Sequence, residues 1–177
     1  EVNGVGALSG PDWSLTVRSR TEFDGMMWFE AALEPTPNAS PALDRLRIRI
    51  PFTADSAEYL HAWSGRRDKD PLWRKQVHGR LKTFKVSYID TVPPGEGTVF
   101  RSNDRDVVSP AENLRGSFIP YVMIAGDDRG MCWFAENDRG WTPDEQHPAV
   151  AIERAADGTV TLVLNIVSRP IVLEERR

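Results

Sequence analysis

Residues 126–141 read GDDRGMCWFAENDRGW and place two turn signals around a short apolar run. The first signal, DDRG at 127–130, separates the apolar runs 118–125 and 131–135. This is the pattern of an antiparallel hairpin in which glycine supplies a left-handed position. The second signal, NDRG at 137–140, ends the returning strand. The stretch therefore predicts a β-hairpin at the centre of the fold.

Aromatic and acidic side chains gather at the end of this hairpin, namely Trp133, Glu136, Asp138 and Trp141. Indole rings stack on the C–H faces of pyranoses, and carboxylates accept hydrogen bonds from sugar hydroxyls. These four residues are the candidate glycan-binding residues. Core packing of both tryptophans is the alternative, since buried Trp is common in sandwich cores.

The carboxylates of Glu136 and Asp138 have the same parity on an extended chain, which would place them ~7 Å apart. Inverting glycosidases use a separation in this range. A turn at these residues would instead point the two groups apart. A small stand-alone glycosidase or lyase using this pair is therefore an alternative function, and catalytic residues are otherwise unknown.

Asp127 and Asp128 are weak calcium candidates, because they lie with the acids of the neighbouring turn in loops rich in oxygen donors. The competing interpretation is that Asp and Asn in these turns bond their own backbone. We favour that interpretation, so we predict no metal site and no cofactor.

The composition limits the classes of partner. The chain has 177 residues, of which 40% are hydrophobic and 27% charged, with a formal net charge of -4. Arginines are scattered among acids, so nucleic acid is not an expected partner, and no apolar run approaches the ~20 residues that span a bilayer. The single cysteine, Cys132, excludes an internal disulfide. Its neighbours Met131 and Trp133 predict a buried, unreactive thiol.

Alternation between apolar and polar residues predicts strands at 13–18, 43–52 and 82–89. The apolar runs 118–125 and 131–136 are the two strands of the hairpin, 149–154 and 159–167 flank a second Asp-Gly turn signal, and 22–33 follows the first strand after a short connector. Residues 171–173 are also strand-like. About eight or nine strands and at most one short helix, expected at 54–63, predict an all-β antiparallel sandwich. In the strand at 43–52, Arg45, Arg47 and Arg49 form a polar face that is solvated or paired with acids on a neighbouring strand.

Other segments have no strand period. Residues 1–12 are expected to be a loose lead-in, Asp24-Gly25 a bulge or kink, and 34–41 a loop with three prolines. The stretch 96–116 is expected to be a binding or lid loop, with disorder as the alternative. His61, in the expected helix, is interpreted as a packed residue, because neither a Cys nor another His lies at ligand spacing.

Three segments carry a family resemblance: EFDGMM at 22–27, AEYLH at 57–61 and GMCWFAENDRGW at 130–141. They resemble the N-terminal β-sandwich domain of glycoside hydrolase family 123-like proteins, and the similarity runs over most of 13–172. In that family the domain precedes a larger barrel that carries the catalytic acid pair. Characterised members act on β-N-acetylgalactosaminides with the help of the substrate's own acetamido group. The adjacent acids Asp144 and Glu145 lie in a predicted loop, so the family's catalytic role is not transferred to them.

The resemblance implies an accessory module that packs on the catalytic barrel of a secreted bacterial enzyme, extracellular or periplasmic. The cluster of Trp133, Glu136, Asp138 and Trp141 adds the expectation that the module contributes to glycan binding. Residues 13–172 are then one domain, and 173–177 begin a linker to the catalytic domain of the same polypeptide. Because the sequence starts at Glu1 without Met, we expect a processed product or an excised fragment. The expected partners are a glycan and this catalytic domain. A purely structural interface domain is a further alternative.

Overall fold

The computed structural model describes residues 1–63, 87–104 and 117–174. This part of the chain contains thirteen strands and one 3-10 turn, Ala54–Ser56, so the all-β antiparallel prediction is confirmed. The strands are β1 (Val2–Ser9), β2 (Trp13–Thr21), β3 (Met27–Pro35), β4 (Ala42–Leu43), β5 (Leu46–Phe52), β6 (Tyr59–Trp63), β7 (Ser87–Thr91), β8 (Gly97–Arg101), β9 (Tyr121–Ala125), β10 (Gly130–Phe134), β11 (Val150–Arg154), β12 (Val160–Val167) and β13 (Ile171–Val172). Over the described ranges, no helix is long and apolar enough to cross a membrane.

The chain divides into two compact units. The first consists of Glu1–Asp44 and the segment from Pro170 onward. It contains a three-stranded sheet in the order β1-β2-β3, hereafter the N-terminal sheet, and the short pair β13-β4. The predictions of one domain over 13–172 and of a linker from 173 stay predictions; Leu173 itself is buried, and its N–H donates to the carbonyl of Pro41.

The second unit, Arg45–Arg169, is a sandwich of two antiparallel four-stranded sheets. The hairpin sheet has the order β10-β9-β6-β7, and the back sheet has the order β5-β12-β11-β8. Alternate residues of both sheets are buried in one core cluster, as expected when two inner faces interdigitate. The cluster includes Leu60, Ala62, Val122 and Ile124 from the hairpin sheet, and Val150, Ile152, Val160, Leu162 and Leu164 from the back sheet.

Both predicted hairpins are confirmed. Strand β9 pairs with β10 from Gly130↔Ala125 to Phe134↔Tyr121, and β11 pairs with β12 across a turn in which Gly158 has a φ of 85°. The prediction that Gly130 supplies a left-handed position is wrong, because its φ is not positive. Glycine is needed there for space, since a Cβ at Gly130 would lie 2.5 Å from the Cβ of Ala125.

The helix expected at 54–63 is wrong beyond its first turn. After Ala54–Ser56 the chain enters β6, which pairs with both β7 and β9. Leu60 and Ala62 are fully buried while their neighbours Tyr59 and His61 face the other side. This period of two, together with pairing on both edges, outweighs the helix propensity of Ala, Glu and Leu.

Two expectations for the N-terminal sheet are also wrong. The loose lead-in is β1, which pairs with β2 along its whole length from Val2↔Thr21 to Ser9↔Ser14. Asp24-Gly25 is not a bulge but part of the hairpin turn between β2 and β3: Gly25 has a φ of 88°, and Glu22 donates its N–H to the carbonyl of Met26. Glycines at alternate positions of β1 hid its period.

The stretch expected to be a lid loop contains β8, which pairs with β11. Residues 105–116 of that stretch lie outside the described residues, as do 82–86 of the strand expected at 82–89. The loop expected at 34–41 begins after Pro35, where β3 ends, and includes Asn38 with a φ of 66°. The strand expected at 43–52 is confirmed over Leu46–Phe52, which is β5, whereas Leu43 belongs to β4.

Candidate functional site

The two tryptophans of the predicted glycan cluster lie together in the interior of the sandwich. Trp141 is only 8% exposed, and its ring meets that of Phe118 edge-to-face with centroids 5.0 Å apart. Trp133 is half-buried on the inner side of β10, and its ring centroid lies 5.8 Å from that of Trp141. At these two positions the structure favours the core-packing alternative.

The two carboxylates of the cluster lie after the strand. Strand β10 ends at Phe134, Glu136 is exposed and Asp138 is half-buried. The chain turns here, because Trp141 donates its N–H to the carbonyl of Asp138 and Gly140 has a φ of 77°. The extended geometry assumed for a 7 Å pair therefore does not apply, while glycan contact by these carboxylates stays a prediction.

The weak calcium candidates Asp127 and Asp128 lie in the turn between β9 and β10. The Tyr59 hydroxyl lies 3.2 Å from Oδ1 of Asp127 and donates to it, and Arg129 lies 3.7 Å from Asp128. Arg129 also pairs with Asp55 at 2.6 Å, and hydrogen bonds from Thr53 and Arg129 lower the pKa of Asp55. In the described segments, no three His, Cys, Asp or Glu residues form a group that could hold a metal ion.

A second group of aromatic residues occupies the outer side of the hairpin sheet. Because Leu60, Val122 and Trp133 point to the core, residues of the other parity on the same strands point outward. We call this surface the outer aromatic face, and its residues are Tyr59, His61, Tyr121, Met123, Cys132 and Phe134. The strand register aligns Cys132 with Met123 and His61, and Phe134 with Tyr121.

Contacts between neighbouring strands order this face. The rings of His61 and Tyr121 meet edge-to-face with centroids 5.2 Å apart, and the Tyr121 hydroxyl lies 4.0 Å from the sulfur of Met123. Burial lowers the pKa of His61, so its imidazole is neutral at pH 7. Burial, followed by the Cys132 thiol, raises the pKa of Tyr121, so its hydroxyl keeps its proton.

The prediction of a buried Cys132 is wrong, since its thiol is exposed. The neighbours Met131 and Trp133 occupy the inner side of β10, so the residue between them must point outward. Residues 59–63 alternate between aromatic and aliphatic side chains, which was a signal for this face, but interpretation of 54–63 as a helix concealed it.

The N-terminal sheet has an apolar face as well. Its register places Val2 beside Thr21 and Met27, and Leu8 beside Leu15 and Leu33. The N-terminal apolar face comprises Val2, Leu8, Leu15, Val17, Met27, Phe29, Ala31 and Leu33, of which Leu33 is buried while Val2, Leu8, Met27 and Phe29 are exposed. The opposite side of the sheet carries charged residues, including Arg18, Arg20, Glu30 and Glu34.

A shallow cavity of about 300 Å³ lies beside the back sheet. Arg49 and Glu153 line it and form an ion pair at 2.8 Å. The arginine pairs with an acid, but not on a neighbouring strand as expected, because β12 lies between β5 and the β11 strand that carries Glu153. The charges of this pair compensate each other.

Comparisons of the chain with known protein families, with curated proteins and with solved structures found no match. The described chain carries two surfaces with grouped apolar or aromatic side chains: the N-terminal apolar face and the outer aromatic face. Their residues differ in kind, because the first is aliphatic with one phenylalanine and the second combines rings with hydroxyl, imidazole and sulfur atoms.

Proposed function

We propose that the chain is a non-catalytic accessory β-sandwich module of a bacterial glycoside hydrolase-like enzyme, and that it packs on the catalytic barrel of the same polypeptide. The observation that supports this proposal is the exposure of the N-terminal apolar face. A sheet with one apolar side is stable when another layer covers that side. Here the apolar side of the sheet has exposed side chains at both of its edge strands, β1 and β3.

The size of the exposed surface favours a protein partner. Val2, Leu8, Met27 and Phe29 are all exposed, and complete burial of one such side chain is worth ~1.5–3 kcal/mol. Exposed apolar side chains grouped on one side of a sheet, with charged residues on the opposite side, are typical of an interaction surface in soluble proteins. A second protein layer would recover this free energy over the whole face.

The resemblance at 22–27, 57–61 and 130–141 supports the identity of that layer as a glycoside hydrolase barrel. The module then has a scaffolding role, and it contributes to substrate capture by binding glycan outside the catalytic centre. Catalysis belongs to the barrel, which is consistent with the inward orientation of Trp133 and Trp141 in this module.

The proposal predicts that the intact polypeptide from the source organism protects the N-terminal apolar face. Amide exchange at Val2–Ser9 and Met27–Pro35 should be at least about tenfold slower in the intact polypeptide than in the 177-residue chain. The substitution Val2→Asp should return exchange in β3 to the faster rate, because an unpaired carboxylate would be buried against the barrel. Hydrogen–deuterium exchange with mass spectrometry measures both effects.

Val5→Asp is the matched control for Val2→Asp. Val5 lies on the same strand and is 76% exposed against 71% for Val2, but it belongs to the charged side of the sheet. The Val5 variant should leave exchange in β3 unchanged. Equal exchange in the chain and the intact polypeptide, or an intact polypeptide without a barrel, would contradict the proposal. Turnover of aryl N-acetyl-β-galactosaminides by the chain alone, lost in Glu136→Gln, would favour the stand-alone enzyme instead.

A further inference from the structure

We propose that the outer aromatic face is a binding platform for a neutral oligosaccharide, whose pyranose rings stack on Tyr121 and Phe134 while their hydroxyls bond His61 and Tyr59. This inference rests on the proposed function in carbohydrate metabolism and assigns a binding surface to it. The platform differs from the cluster predicted from the sequence, because it lies on the opposite side of the same hairpin.

The dimensions of the platform suit several sugar rings rather than one. Three neighbouring strands, β10, β9 and β6, contribute its side chains, so it is about 10 Å wide. Phe134 pairs with Tyr121, and Tyr121 pairs with Trp63 on β6. Trp63 lies four residues from Tyr59, so the Phe134 end and the Tyr59 end of the platform are ~13 Å apart along the strands. The sheet gives these rings fixed backbone positions, which reduces the entropy lost on binding.

The polar atoms of the platform are of the kind that sugar hydroxyls need. The Tyr59 hydroxyl is held by the carboxylate of Asp127, and the Tyr121 hydroxyl and the His61 ring add two further groups able to donate and accept. Aromatic rings with a polar end combine an apolar contact surface with directed hydrogen bonds. If a purely aliphatic partner covered the platform, these groups would lose their hydrogen bonds to water and gain none in return.

The charge of the platform favours a neutral ligand. None of its residues Tyr59, His61, Tyr121, Met123, Cys132 and Phe134 is a carboxylate, a lysine or an arginine. The charged groups with described interactions at the Tyr59 hydroxyl are acidic, namely Asp127 and Glu58. Polyanions such as nucleic acid or sulfated glycans therefore gain no ion pair here, whereas neutral hexoses and N-acetylhexosamines need none.

Titration calorimetry of the chain with neutral tetrasaccharides tests the inference. Suitable probes are cellotetraose, β-1,4-galactotetraose and N-acetylchitotetraose, with a sulfated tetrasaccharide for comparison. At least one neutral probe should bind saturably, and Phe134→Ser or Tyr121→Ala should weaken it about tenfold or more. Tyr121→Phe, which keeps the ring, should retain most of the affinity, and thermal unfolding of each variant shows whether it is folded.

Phe29→Ser is the matched control for Phe134→Ser. Both phenylalanines are exposed, Phe29 by 64% and Phe134 by 40%, but Phe29 lies on the N-terminal apolar face. Binding of the tetrasaccharide should be unchanged in Phe29→Ser. Loss of binding in both variants would show non-specific apolar adsorption and would overturn the inference.

The thiol of Cys132 provides a second readout at the platform. The Cys132 thiol is exposed beside Met123 and two residues from Phe134, so a maleimide should label it in the free chain. Saturating tetrasaccharide should slow this labelling about tenfold or more, since the occupied fraction is protected. Unchanged labelling at a saturating concentration would place the ligand elsewhere and overturn the inference.

Three further outcomes would overturn this inference. The first is that no neutral probe binds, and the second is that Glu136→Gln and Asp138→Asn abolish binding while Phe134→Ser does not. The third is a dimer in solution that Phe134→Ser converts to a monomer, which would assign the face to a second copy of the chain. The exchange experiment on Val2–Ser9 judges the proposed function separately, so a failure of sugar binding does not by itself overturn the accessory role.

Discussion

Replacement of Trp141 with alanine should lower the free energy of unfolding of the sandwich by about 3–5 kcal/mol. The ring is 8% exposed and packs between Phe118 and Trp133. Its removal takes away buried apolar surface and leaves a cavity beside Phe118 and Trp133 in a close-packed core, so relaxation is limited. Urea unfolding followed by far-ultraviolet circular dichroism measures the change.

Trp133→Ala is the comparison for Trp141→Ala. Trp133 is half-buried at the margin of the same core, so its loss should cost less than that of Trp141. Neither substitution should change sugar binding in protein that remains folded. A Trp141→Ala variant of unchanged stability that no longer binds a tetrasaccharide would contradict the packing role and support the glycan contact expected from the sequence.

The contrast between Trp133 and Phe134 shows what the sequence could and could not predict. The hairpin at 126–141 was predictable, because two apolar runs flank a short polar turn and register follows from it. Which of Trp133 and Phe134 faces the core was not, since both sides of β10 carry apolar residues: Met131 and Trp133 inside, Cys132 and Phe134 outside. When both faces of a strand are apolar, the sequence does not show which face lies in the core.

The error at 54–63 has a related cause. Ala, Glu and Leu favour helix locally, and Leu60 and Ala62 alternate over too short a segment to overcome that preference in a sequence argument. The segment forms a strand because β6 pairs along both edges, with β7 and with β9. Long-range pairing of this kind has no local signature, and it is what places Tyr59 and His61 on the outer aromatic face.

In β1, glycines made a strand look like a loop. Gly4 and Gly6 interrupt the alternation of Val2 and Leu8, so the segment resembled a loop, yet β2 supplies a complete template for pairing. The apolar side of the N-terminal sheet becomes visible only when three strands are aligned. Charge and hydropathy along the chain thus predict the fold class, while the two proposed interaction surfaces depend on register.

Replacement of Gly126 with alanine should destabilise the second unit by about 1–3 kcal/mol. A Cβ at this position would overlap the carbonyl oxygen of Asp55 and would lie 3.2 Å from the Cα of Ser56. Both are backbone atoms, which cannot rotate away. The turn holds this position through a hydrogen bond from Gly126 to Arg129 at 2.8 Å and the Arg129–Asp55 ion pair.

Displacement of that turn should also weaken sugar binding. Asp127 of the turn accepts the hydrogen bond from Tyr59, so a shift of the turn releases the hydroxyl at one end of the outer aromatic face. We expect the affinity for the tetrasaccharide to fall several-fold in Gly126→Ala, because an oriented hydrogen-bonding group contributes ~0.5–1.5 kcal/mol. Tyr59→Phe should reproduce this loss of affinity without the loss of stability.

Gly6→Ala is the control for Gly126→Ala. A Cβ at Gly6 would meet no atom within 4 Å, so alanine there should be neutral or slightly stabilising, because it restricts the unfolded chain. The comparison separates the general effect of a methyl group from the steric overlap with Asp55. If the two variants unfold at the same urea concentration, the turn can move away from Asp55 at little cost. The outer aromatic face would then not depend on this contact for the position of Tyr59.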